Sequence, residues 1–221
     1  MSTEPPTLRR LQRGLESIYR LDLEVDVSDF LCDEELARAH DPEGIRREML
    51  LVSQDDQDEV RLALYVDDAV LARLAESHPS RWILGDAFDA YCVGLEGVSH
   101  FVYLAYHGGS GRPVTELELE LQAEVDKFVS ASLAVHRLPH ADAIMGAIRR
   151  RLFQAPSYLD APETERGERY RTANQLASRY AVRLEQLFRG RDGVVRMLAE
   201  ARRFYRLSQP EKIAEALREA A

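Results

Sequence analysis

Glu96, His100, Tyr103 and His107 are the residues of this 221-residue chain whose types and spacing come closest to chemistry. At ~100° per residue they fall on one polar stripe of a helix, within about 60° of each other. Glu96 and His100 stand four apart, so a carboxylate and an imidazole can reach the same ion. Glu118, Gln122 and Asp126 form a comparable stripe on the following helix, which a short connection makes antiparallel to the first. Acids and imidazoles converging between two helices are how bundle metal centres are built. The pattern therefore offers a divalent-metal site with Glu96, His100, His107 and Glu118 as ligands. Tyr103, Gln122 and Asp126 would support it. The spacing is not the Glu-x-x-His of di-iron bundles, and a plainer expectation competes: a helix packed on two sides leaves a polar wedge to water. Gly94 and Gly97 lie within the same helix and each costs it about 1 kcal/mol relative to alanine. They either permit close packing or break the stripe.

Other motifs fail on their surroundings. Residues 97–101 read as a nucleophile elbow around Ser99, but Phe101 stands where a second glycine is needed and the context is helical. The glycine-rich segment 107–111 lacks the Gly-Lys-Ser/Thr of a phosphate cradle and follows no strand. The acidic run Asp55, Asp56, Asp58 and Glu59 lacks the glycine and spacing of a calcium loop and reads as a solvated hairpin tip.

The elements that must carry these residues are mostly helical. Leu8, Leu11, Leu15 and Ile18 recur at helical spacing over 7–19. Over 21–27 the period drops to two, with Leu21, Leu23, Val25 and Val27 alternating with acids, which predicts a half-buried strand. A short helix follows at 33–39. Segments 48–53 and 60–66 read as an antiparallel hairpin. Beyond residue 67 the pattern is helical, with helices over 67–77, 86–107, 115–136, 141–154, 163–188 and 193–207 and a terminal one. Asp86 is placed to cap the second of these. Thr115 with Glu118 and Ser208 with Glu211 form capping boxes. Tyr91, Leu95, Val98, Val102 and Ala105 make an apolar face, and Val93, Phe101 and Leu104 another, so the helix 86–107 is expected to be deeply buried. The fold class is α+β: a small antiparallel N-terminal sheet of about three strands with a predominantly α-helical C-terminal part. Residues 1–80 form the α+β region and 81–221 the helical region, expected to pack as one continuous unit.

Composition narrows the function classes. Cys32 and Cys92 make neither a disulfide framework nor a zinc-type cluster. No apolar run approaches the ~18 residues of a membrane helix, and the first residues lack the apolar stretch of a secretory signal, so a cytoplasmic location without membrane association is expected. The net charge of −9 conceals a division: −15 over residues 1–136 and +6 over 137–221. Arg149, Arg150 and Arg151 could contact a polyanion, and Tyr170 or Tyr180 could stack on bases. Acids interrupt that surface, however, and Tyr170 and Tyr180 lie on an apolar stripe, so nucleic acid is disfavoured as a partner. The leading expectation, reached by elimination, is a non-catalytic protein-interaction or regulatory module whose partner is a protein, itself or another. The alternative is a metal-dependent enzyme using the Glu/His stripe between the helices 86–107 and 115–135. Nucleic-acid binding through the arginine-rich half is the second alternative.

Overall fold

The computed structural model describes residues 6–54, 60–76, 82–109, 111–154, 156 and 158–218. The chain divides into two compact units, Met1–Glu16 with Asp22–Gly111, and Ser17–Leu21 with Arg112–Ala221. Among the described residues the fold is a two-stranded antiparallel sheet in the first unit and α-helix nearly everywhere else.

In the first unit, helix α1 (Pro6–Tyr19) buries Leu8, Leu11 and Leu15, as their spacing predicts; its last turn belongs to the second unit. A 3-10 turn (Val27–Phe30) and the short helix α2 (Glu34–His40) follow, each started by an aspartate side chain, Asp26 or Asp33. Strands β1 (Glu48–Gln54) and β2 (Val60–Val66) pair antiparallel with Leu50 opposite Leu64. The expected acidic tip at 55–59 and the His78–Pro79 stop lie outside the described residues. Helix α3 (Asp68–Glu76) and the long helix α4 (Phe88–Gly108) complete the unit, with α4 packed on both strands and on α3.

Two local expectations need correction. Residues 21–27 are not a strand, so the described sheet has two strands rather than about three. The buried side chain of Gln12 takes the place of a neighbouring strand: its Nε2 donates to the Val25 carbonyl at 2.7 Å, and its Oε1 accepts from the Val27 N–H at 2.7 Å. One carboxamide thus satisfies two backbone groups that a ladder would otherwise have to pair. Asp86 does not cap α4, which begins two residues later without a side-chain cap. Its carboxylate pairs instead with Arg73 of α3.

Gly94 and Gly97 do not break α4. They sit where the helix is closely approached: a β-carbon at 94 would lie 2.9 Å from Leu74 Cδ1, and one at 97 would lie 3.0 Å from Leu64 Cδ1. Val98, Phe101 and Val102 are fully buried, in agreement with the two apolar faces read from sequence.

The second unit consists of α5 (Glu116–Val135), α6 (Ala141–Phe153), α7 (Glu165–Phe188), α8 (Gly193–Tyr205) and α9 (Gln209–Leu217). Helix α7 is the centrepiece, packing against α5, α6, α8 and α9. Its apolar stripe buries Ala173, Leu176, Ala177, Tyr180 and Leu184. Thr115 accepts from the Glu118 N–H at 3.2 Å, and the Ser208–Glu211 capping box forms in full. Both punctuate the chain where the sequence placed them. No described helix is long and apolar enough to cross a membrane.

Candidate functional site

Helix α4 holds its polar stripe inside the protein rather than at the surface: His100, Tyr103 and His107 are buried and Glu96 is half-buried. Because α4 is unbroken through Gly94 and Gly97, Glu96 and His100 keep their one-turn relationship and offer ligand atoms within 4.8 Å of each other. A second carboxylate reaches His100 from the sheet. Glu48, the first residue of β1, places Oε2 3.9 Å from His100 Nδ1, and its side chain is only 13% exposed. Gly97 leaves room for that approach, since a β-carbon there would lie 3.1 Å from Glu48 Oε2 and crowd it. The first unit therefore contains a His/Glu cluster of metal-ligand type, one imidazole flanked by two acids. Tetrahedral zinc sites hold their ligands at ~2.0–2.2 Å, which spaces them by about 3.4 Å, so Glu96 and His100 lie within side-chain adjustment of a shared ion.

The remaining members of the α4 stripe are engaged in ring packing. Tyr103 and His107 lie tilted at 4.4 Å between ring centroids, and Tyr106 meets His107 edge-on at 4.9 Å. Ser99 is buried in mid-helix, so the strand–turn–helix geometry of a nucleophile elbow is absent around it.

In the second unit the stripe of α5 is also buried, with Glu118, Gln122 and Asp126 each at most 2% exposed. What it surrounds is an amine that the sequence reading did not single out. Lys212 on α9 is fully buried, its Nζ donating to Gln122 Oε1 and lying 4.5 Å from the Phe204 ring centroid. Gln122 Nε2 donates to Asp126 Oδ1 at 2.7 Å, and Tyr19 Oη donates to the same carboxylate oxygen. Glu118 is paired with Arg112, whose guanidinium also donates to the Leu207 carbonyl at 3.1 Å. Burial pushes the Lys212 amine from 10.5 down to about 7, outweighing the attraction of Glu118 and Asp126. Burial, reinforced by Asp126, pushes the Tyr19 phenol well above its ordinary value. One feature of the sequence could have drawn attention to Lys212: it is one of two lysines, with Lys127, among 29 basic residues.

Of the three consecutive arginines, Arg149 is half-buried and donates to Glu185 Oε2 at 2.6 Å, while Arg150 and Arg151 are exposed. Tyr180 is core, stacked on Phe204 at 4.0 Å. Neighbouring arginines are drawn to acids of their own unit: Arg169 to Glu116 at 2.5 Å, and Arg183 to Glu215. Neither Cys32 nor Cys92 is in a disulfide. Comparison with protein-family models, with curated proteins and with solved structures found no match to this chain.

Proposed function

We propose that the chain binds a divalent metal ion through His100 and Glu96, with Glu48 contributing a further carboxylate, and that this centre underlies a metal-dependent activity. The observation that carries the reading is a buried imidazole with one acid a helical turn away and another 3.9 Å from its Nδ1. Buried ionisable groups of this kind are paired or coordinate metals. A mixed imidazole and carboxylate set suits zinc, manganese or ferrous iron. An ion with a position left open to water would act as a Lewis acid or lower the pKa of that water. The interaction-module reading rests on elimination and has no comparable set of residues behind it.

The experiment is metal analysis of protein purified without chelator, followed by titration of the stripped protein with zinc, manganese and iron. Near-stoichiometric metal, lost in His100→Ala and reduced in Glu96→Gln and Glu48→Gln, is the expected result. Glu118→Gln and His107→Ala, run in parallel, test the two other ligands expected from sequence. No metal uptake, together with a melting temperature unchanged by all three ions, would refute the proposal.

A further inference from the structure

We infer that Lys212 and its polar partners make the docking of the C-terminal helix α9 onto the second unit depend on protonation. The geometry is a buried amine held by a carboxamide and two aromatic faces. Lys212 Nζ donates to Gln122 Oε1 and lies 4.5 Å from the Phe204 ring centroid and 5.8 Å from that of Tyr205. Behind Gln122, the Asp126 carboxylate accepts from both Gln122 Nε2 and Tyr19 Oη. Tyr19 in turn stacks on Tyr205 at 4.1 Å. The network thus joins α9, α5, α8 and the last turn of α1.

The charged and titratable groups around the amine pull in different directions. Glu118 and Asp126, both on α5, favour the ammonium, while burial and Arg112, which precedes α5, disfavour it. Tyr19 on α1, Tyr180 on α7 and Tyr205 on α8 form the surrounding phenols. Burial holds Tyr19 and Tyr180 protonated well beyond the range in which Lys212 titrates. One turn further along α9, Glu215 is occupied by Arg183 and Arg203. Burial wins at Lys212 and places its titration near 7.

The sign follows from which state holds the proton. Docked, the amine is neutral above about 7; released into water, it stays an ammonium up to its ordinary 10.5. Undocking between those limits therefore takes up one proton. Docking of α9 should tighten about tenfold per pH unit as pH rises from ~7 towards ~10, and should be flat below ~7, where both states carry the proton.

The test uses the full chain. Hydrogen exchange of the α9 amides, corrected for intrinsic rates, should show protection rising about tenfold per pH unit over pH 7–9. Lys212→Met should remove that slope. An equal slope in Lys212→Met, or a wild-type profile with none, would overturn the inference. Should Lys212→Met fail to fold, lysine-labelled wild-type protein decides the matter alone. With two lysines in the chain there are two Cε signals, and Lys127→Arg assigns them. A Lys212 signal titrating near 7 supports the inference, and one titrating near 10 refutes it.

Discussion

Gly97 is the bare backbone surface against which the Glu48 carboxylate rests: a β-carbon at position 97 would come within 3.1 Å of Glu48 Oε2. The glycine weakens α4 as a helix, yet it lets an acid from β1 lie beside His100. A residue that reads in sequence as a possible helix breaker is, in the folded unit, a close neighbour of the acid that lies beside the histidine.

Gly97→Ala should therefore affect the His/Glu cluster more than the fold. Alanine improves helix propensity by about 1 kcal/mol, which offsets crowding against Leu64 and leaves stability within about 1 kcal/mol of wild type. Displacing the Glu48 carboxylate should weaken metal affinity by roughly tenfold or more, as loss of supporting groups does elsewhere. Calorimetric titration of the stripped variant with zinc measures this. An affinity equal to wild type would show that Glu48 is not part of the centre.

Gln12→Ala should destabilise the first unit by about 1–3 kcal/mol, because two backbone groups lose their partner in a buried setting. The loss should be local to residues 25–27, read as faster amide exchange at Val27, whose N–H now donates to Gln12. Glu at position 12 keeps an acceptor for Val27 but sets a carboxylate oxygen against the Val25 carbonyl, so Gln12→Glu should also destabilise. Urea denaturation of the two variants beside wild type checks both statements. A stability unchanged in Gln12→Ala would mean that the segment 25–27 is held by other contacts.

Glu215 predicts a separate dependence on acid. Burial raises its carboxyl pKa, but hydrogen bonds and charges from Arg203 and Arg183 outweigh burial and leave it below 4.5. A lowered folded value means that its stabilisation is present above the unfolded pKa and is lost as pH falls through the folded one. Glu215→Gln should thus be less stable than wild type at pH 7 by about 1.5–3 kcal/mol, the range for hydrogen bonds to charged groups. The gap should close progressively as pH is lowered below 4.5, through the lowered folded value. Denaturation of both proteins over a series from pH 7 downwards provides the measurement, and a gap independent of pH would contradict the ion-pair account.

Much of the fold was legible because it depends on local periodicity and capping. The stripe Leu8, Leu11, Leu15 marks α1, the alternation around Leu62 and Leu64 marks β2, and Thr115 and Ser208 mark helix starts; each signal lies within a few residues of what it specifies. The same local reading failed over 21–27. Alternation there describes which side chains face inward, but the hydrogen-bond partner that decides strand or not is Gln12, more than ten positions away on a helix.

The candidate sites divide in the same way. Sequence alone determined that Glu96 and His100 share one face of a helix and that Glu118, Gln122 and Asp126 share one face of the next, because helical pitch sets both. Tertiary structure decided what those faces meet. Glu48 comes to His100 from a strand far earlier in the sequence, and Lys212 comes to Gln122 across 90 positions. A polar stripe has the same residue pattern whether it faces water, an ion or a buried amine. Only packing removes the water, and once it is removed the pairing of each charge, and the pH at which Lys212 gains its proton, depend on neighbours that periodicity does not encode.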